Sequence, residues 1–217
     1  MRNYNKSERK IFTLLEYIPA FLLPCCILVL IMKICGVVPF GDKPVFIWDA
    51  LYQYKDYFGY LWDVLHGNAD IQYAASKSLG GGFMGILGYY CSSPLNYLLM
   101  FFNKNSIPAF MSLMVLLRIS LSGLTCNIYL NKRFHTPLIF GLILSTSYAL
   151  MEYNVYYCRN CMWLDGVIML PLIALGIWNI MGDKGITLLW ITVALSIIRE
   201  LVCRIHGLPH VRFFLYF

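Results

Sequence analysis

Ile11 to Val38 is a predominantly apolar run long enough to cross a bilayer core of roughly 30 Å as one helix, and it sets what the rest of the chain can be. Pro19 and Pro24 are tolerated kinks in such a helix, and Lys33 can snorkel toward the far interface. The run is too long for a cleaved leader and has no small-residue cleavage site after it, so it is expected to stay as an anchor. Only 13% of the 217 residues are charged, against roughly 25% in ordinary soluble domains. With 59% hydrophobic residues, the expected fold class is all-α, a polytopic helical membrane protein.

The formal net charge of +6 does not point to nucleic acid. Lys and Arg sit mainly in short segments between apolar runs, where they set orientation. The tail 1–10 carries Arg2, Lys6, Arg9 and Lys10 and is expected in the cytoplasm. Further spans are expected at Ile107–Leu130, Pro137–Tyr153, Gly166–Met181 and Ile186–Ile198, the four-helix transmembrane part 107–198. Phe83–Phe102 is apolar but broken by Gly85, Gly88 and Ser92–Pro94. If this piece does not cross, the N-terminus, Lys132, Arg133 and Lys184 share the inner side, and 39–106 and 154–165 share the outer one. That version has five spans and one re-entrant or surface hairpin at 83–102.

Val45–Leu65 places Ile47, Leu51, Tyr54, Phe58, Leu61 and Leu65 on one helical face, with Asp49, Gln53, Asp56 and Asp63 on another. Trp and Tyr residues border the two. An interfacial helix over 45–66 follows, its apolar stripe in the acyl layer. Its acidic polar face is unusual, since helices that bind anionic lipid carry Lys and Arg there. A carboxylate at that depth suits a general base or a cation ligand; a solvated face is the plain alternative.

Other residues have two readings each. Asp165, where a polar gap meets a span, either favours a helix dipole or does chemistry. Arg118 lies inside an apolar span and must face a partner or a wet cavity; structural and functional roles both stay open. Lys77 and Arg159 are each surface charges alone, or together a phosphate cradle. Gly80–Gly82 reads as a flexible joint. Cys158 and Cys161 form a lone CxxC, a disulfide or two idle thiols rather than a metal site. His66 and His135 lack metal-type spacing.

PFGD at Pro39, WDALYQY at Trp48, SKSLGGG at Ser76, SSPLNYLL at Ser92 and MWLDGVIMLPL at Met162 together resemble the YfhO family of bacterial membrane proteins. The resemblance covers 39 to about 198. It implies a C-type glycosyltransferase-like N-terminal module with a large outer first loop. Such enzymes take a polyprenyl-phosphate sugar and act on the outer face of the plasma membrane; similar members add sugars to teichoic or lipoteichoic acid. The resemblance places Asp49 at the essential acid of the first outer loop and Asp165 at a second acid. Asp49 would activate the acceptor hydroxyl, and Lys77, Arg118 or Arg159 would neutralise the leaving phosphate. A divalent cation held by Asp49 and Asp165 is an option that some C-type enzymes do without. The rival is a transporter or flippase-like subunit for a lipid-linked substrate, which would keep its polar groups near the midplane.

The resemblance also implies a longer chain. RELVCRIHGLPHVR makes a poor membrane helix. With permitted codons for Val202–Arg212, moving the frame forward by one base yields Y-V-G-F-M-V-C-L-M-F, similar to a Tyr-x-Gly-Phe-Met segment of the family. The expectation is a frameshifted or truncated reading over 199–217, inactive alone.

Overall fold

The computed structural model describes residues 6–45, 50–77 and 79–205, and among these the side chains from 17 to 196. The fold is helical apart from one two-stranded hairpin. Helix α1 (Lys6–Cys35) runs through Pro19 and Pro24 and stops where Gly36 takes a left-handed conformation. A compact segment follows. It holds a π turn (Ala50–Tyr54) leading into α2 (Lys55–Leu65), then the hairpin β1 (Tyr73–Ala74) and β2 (Gly81–Gly82). After these come α3 (Met84–Ile86), a second π turn (Leu87–Cys91) and a 3₁₀ helix (Pro94–Phe101). The remaining helices are α4 (Ile107–Phe134), α5 (Leu138–Ala149), α6 (Glu152–Tyr156), α7 (Cys161–Met181) and α8 (Thr187–Ile205).

Among the described residues, three helices are long and apolar enough to cross a membrane: Tyr17–Cys35, Lys104–Phe134 and Cys161–Met181. The apolar parts Leu138–Ala149 and Thr187–Ser196 are shorter. The sequence placed a third span over Pro137–Tyr153; the helix there ends at Ala149, and Glu152–Tyr156 forms a separate turn. Between 83 and 102 no helix exceeds eight residues, too short to cross a core of about 30 Å.

Helix α4 is the centre of the bundle, packed against α1, α5 and α7, with α8 on the far side of α7. Gly123 permits a close approach of three helices: a Cβ there would lie 3.0 Å from the Ala20 carbonyl oxygen and 3.2 Å from both Ala149 Cβ and Pro24 Cγ. At the end of α4, Lys132 and Arg133 suit the negative pole of the helix, and left-handed His135 closes it. Arg133 lies 3.2 Å over the Trp178 ring, so the C-terminal ends of α4 and α7 share one end of the bundle. The segment 36–106 caps the other end.

The stripe expected on 45–66 is largely present, but it faces protein instead of lipid. Tyr54, Phe58 and Leu61 are buried. Phe58 meets Phe110 of α4 edge-on, and Tyr54 meets Tyr90 likewise. An apolar face covered by its own chain needs no acyl layer. Leu51 has left the stripe and is exposed, while Ala50 is fully buried. The cause is the π turn, whose wider winding rotates Leu51 away and brings Ala50 in. Ile47 lies outside the described residues.

Candidate functional site

Arg118 is on the fourth turn of α4, on the face turned to α7, and is fully buried. Its Nε donates to Asp165 Oδ1 at 2.9 Å, and its Nη2 donates to Asn96 Oδ1 at 2.8 Å. An intramembrane guanidinium needs such partners, because an unpaired buried charge is too costly to keep. Asn96 is presented by the 3₁₀ helix that Pro94 starts, and its own Nδ2 donates to the Tyr90 carbonyl at 3.3 Å. Each polar group therefore arrives on a different element.

Asp165 is not at a helix start. Helix α7 begins at Cys161, so Asp165 is its fifth residue, and the expected dipole role gives way to the ion pair. Twenty-one residues of α7 rise about 31 Å, close to the thickness of a bilayer core. Asp165 then lies about 6 Å in from the capped end. Eleven residues of α4 precede Arg118 but only four of α7 precede Asp165, so α4 projects past α7 by about 10 Å. The segment 36–106 packs around that projection.

Tyr54 lies beside this cluster, wholly buried at the end of its π turn. Burial pushes its hydroxyl well above the usual tyrosine value, with the neighbouring Cys161 thiol adding to the shift. It stays a neutral donor across the physiological range. Arg118 Nη1 has no hydrogen-bond partner among the described residues, and the Tyr54 hydroxyl, whose oxygen faces the Met162 backbone N–H, has no acceptor for its proton there. Each such orphan costs roughly 1–3 kcal/mol.

The other expected site residues lie elsewhere or go undescribed. Asp49 lies outside the described residues. Lys77 is exposed and donates from Nζ to the Gly82 carbonyl at 3.1 Å, folding over the glycine run. Arg159, in the loop before α7, stacks over Tyr156 at 4.4 Å. The structure thus joins Arg118 with Asp165, while Lys77 turns to the Gly82 carbonyl. Cys158 and Cys161 are free thiols, with Cys161 Sγ directed to the Cys158 carbonyl at 3.5 Å. Burial raises the Cys158 pKa and keeps its thiol protonated.

Of the two acids expected to share a cation, Asp49 lies outside the described residues. Asp165 shares its carboxylate with a guanidinium, which repels a second cation. Among the described residues no three of His, Cys, Asp or Glu come together as a metal group.

Comparison with known proteins now decides the family. The model for the bacterial membrane protein YfhO matches residues 20–200. The chain belongs to the YfhO family. No curated protein and no solved structure matches it. Three of the YfhO-like segments meet in the buried cluster: WDALYQY brings Tyr54, SSPLNYLL brings Asn96 and MWLDGVIMLPL brings Asp165. Sequence reasoning had not singled out Asn96 or Tyr54 as site residues. The available signal was Arg118 itself, which required an acid and a polar acceptor from segments far away in the chain.

Proposed function

We propose that this chain belongs to a membrane glycosyltransferase. In this reading a sugar moves from a polyprenyl-phosphate carrier to a cell-wall polymer, such as teichoic or lipoteichoic acid, on the outer face of the bacterial plasma membrane. The observation that carries it is the convergence of three YfhO-like segments on one charged cluster, just below the capped end of the bundle. A lipid-linked substrate keeps its phosphate near that depth and its prenyl chain beside the helices.

The proposed roles are these. Arg118 is the cation for the departing lipid phosphate. Asp165 holds Arg118 through Nε and is a positioning residue, a narrower role than the second catalytic acid. Asp49, in the same segment as Tyr54, is the proposed base that activates the acceptor hydroxyl. Lys77 and Arg159 are assigned to the outer surface, where the polymer arrives.

The transporter reading has less to draw on. Hydroxyls deeper in the bundle turn back on their own helices: Ser122 donates to the Ile119 carbonyl, Thr125 to Ser122 and Ser145 to Leu142. Ser120 Oγ, Asn127 Nδ2 and Thr146 Oγ1 are buried there without partners among the described residues, but α4 is unbroken, unlike the interrupted helices of transporters.

The test is sugar on the cell-wall polymer in a strain lacking the gene, complemented with wild-type, Asp49→Asn or Arg118→Lys. Wild-type alone should restore the sugar. Normal transfer by Asp49→Asn removes that residue from the chemistry, and polymer sugar indifferent to the gene removes the glycosyltransferase reading.

A further inference from the structure

Arg118 divides its donors unequally. Nε is taken by Asp165 and Nη2 by Asn96, while Nη1 is wholly buried without a partner among the described residues. The Tyr54 hydroxyl is also buried, and its proton has no acceptor among the described residues. The phenol and the guanidinium are close enough to interact electrostatically, and the hydroxyl oxygen faces the backbone N–H of Met162 in the first turn of α7. Two unsatisfied donors therefore sit together at the positive pole of a 21-residue helix.

Buried donors left over at one place are rare in folded proteins, and they mark a spot where an acceptor belongs. The acceptor is anionic by elimination. Arg118 and Asp165 cancel formally, Tyr54 and Asn96 are neutral, and the helix pole leaves the cluster weakly positive. A cation is repelled by the guanidinium, and a neutral acceptor gains nothing from the pole.

We propose that Arg118 Nη1 and the Tyr54 hydroxyl form a two-donor seat for one phosphate oxygen, with Asp165 and Asn96 as positioning residues that hold the guanidinium turned toward it. This deepens the proposed function and rests on it for the kind of phosphate, a lipid-linked one. Tyr54 is the new member. Its hydroxyl replaces a water hydrogen bond that the phosphate loses on leaving the headgroup layer, and it brings no charge to oppose the leaving group.

The experiment uses the full chain in a maltoside detergent, which contains no phosphate. Binding is read by tryptophan fluorescence and by thermal unfolding. Inorganic phosphate, phosphatidylglycerol and a polyprenyl phosphate are added separately, with polyprenol as the uncharged control. Polyprenyl phosphate should bind wild-type and raise its Tm, and polyprenol should not. Tyr54→Phe should bind polyprenyl phosphate about tenfold more weakly, the loss of one charge-assisted hydrogen bond. Its Tm without ligand should be nearly unchanged, because the hydroxyl proton has no acceptor among the described residues. A hydroxyl that only fills space would give the same Tm result but unchanged binding, and that outcome overturns the seat. So does failure of every phosphate compound to bind wild-type. Inorganic phosphate or phosphatidylglycerol binding with the same Tyr54→Phe penalty supports the seat and assigns it to free phosphate or bulk lipid. Should Tyr54→Phe not fold, Arg118→Lys, which keeps the charge but lacks Nη1, must show the weakening. Phosphate binding with this Tyr54 dependence, but with no gene-dependent polymer sugar in cells, keeps the seat and discards the glycosyltransferase.

Discussion

Arg118 Nε and Asp165 Oδ1 lie 2.9 Å apart and 47 residues apart in sequence, and their bond ties the middle of α4 to the second turn of α7. The side chains are 0% and 11% exposed, so water screens the pair little. A pair of this kind is fragile in one direction only. Losing both charges is tolerated, whereas losing one strands the other in an apolar setting.

Asp165→Leu should therefore destabilise the protein by about 3–5 kcal/mol, and Arg118→Met combined with Asp165→Leu should recover most of that loss. Unfolding in detergent, followed by helical signal, checks it. A double variant no more stable than Asp165→Leu alone would show that the stranded charge is not the cause.

The ion pair of Lys104 with Asp63 gives the contrast. Its side chains are 49% and 24% exposed, on the rim of the cap. Asp63→Asn should cost less than about 1 kcal/mol, and the difference should shrink further in high salt. Unfolding with and without added salt measures both.

These two pairs show what the sequence could and could not reveal. Apolar runs located α1, α4, α7 and the smaller α5 and α8, since lipid and core both demand such runs. That Arg118 must have a partner was legible from its place in an apolar span. Which partner was not, because it depends on α4 and α7 lying side by side. Asn96 sits among Leu and Tyr in a stretch that reads as apolar, and nothing local marks it as a ligand of an arginine. The sequence pattern starts α7 five residues late because Cys161–Asp165 resembles a polar gap; inside the helix, Asp165 is neutralised by Arg118. Leu51 was assigned to the buried stripe because a π turn leaves no trace in a 3.6-residue pattern.

Gly123 tests the bundle itself. Its missing Cβ would sit 3.0 Å from the Ala20 carbonyl oxygen, a backbone atom that cannot rotate away. Gly123→Val should push α1 and α5 off α4 and destabilise by about 1–3 kcal/mol. Gly182→Val, in the α7–α8 turn, meets no heavy atom closer than 3.6 Å and should be mild by comparison. The checks are detergent unfolding midpoints for both variants.

Two cysteines test which way the cap faces. Cys35 is exposed at the end of α1, where the chain enters the cap, while Cys91 is buried within it. Burial pushes the Cys91 thiol up to about 12, so at pH 8 its thiolate fraction is on the order of one in ten thousand. Since the thiolate is the nucleophile, a maleimide should label Cys35 in the folded protein and Cys91 only after unfolding. Raising the pH from 7 to 9 should leave Cys91 slow, because its raised pKa keeps it protonated throughout that window. The measurement uses variants that retain one cysteine each and a maleimide that cannot cross membranes. Labelling of Cys35 on intact cells is the outcome expected if the cap faces outward. Labelling only after permeabilisation would put Arg118, Asp165 and Tyr54 near the cytoplasmic surface, and outer-face transfer to a wall polymer could not then be their task.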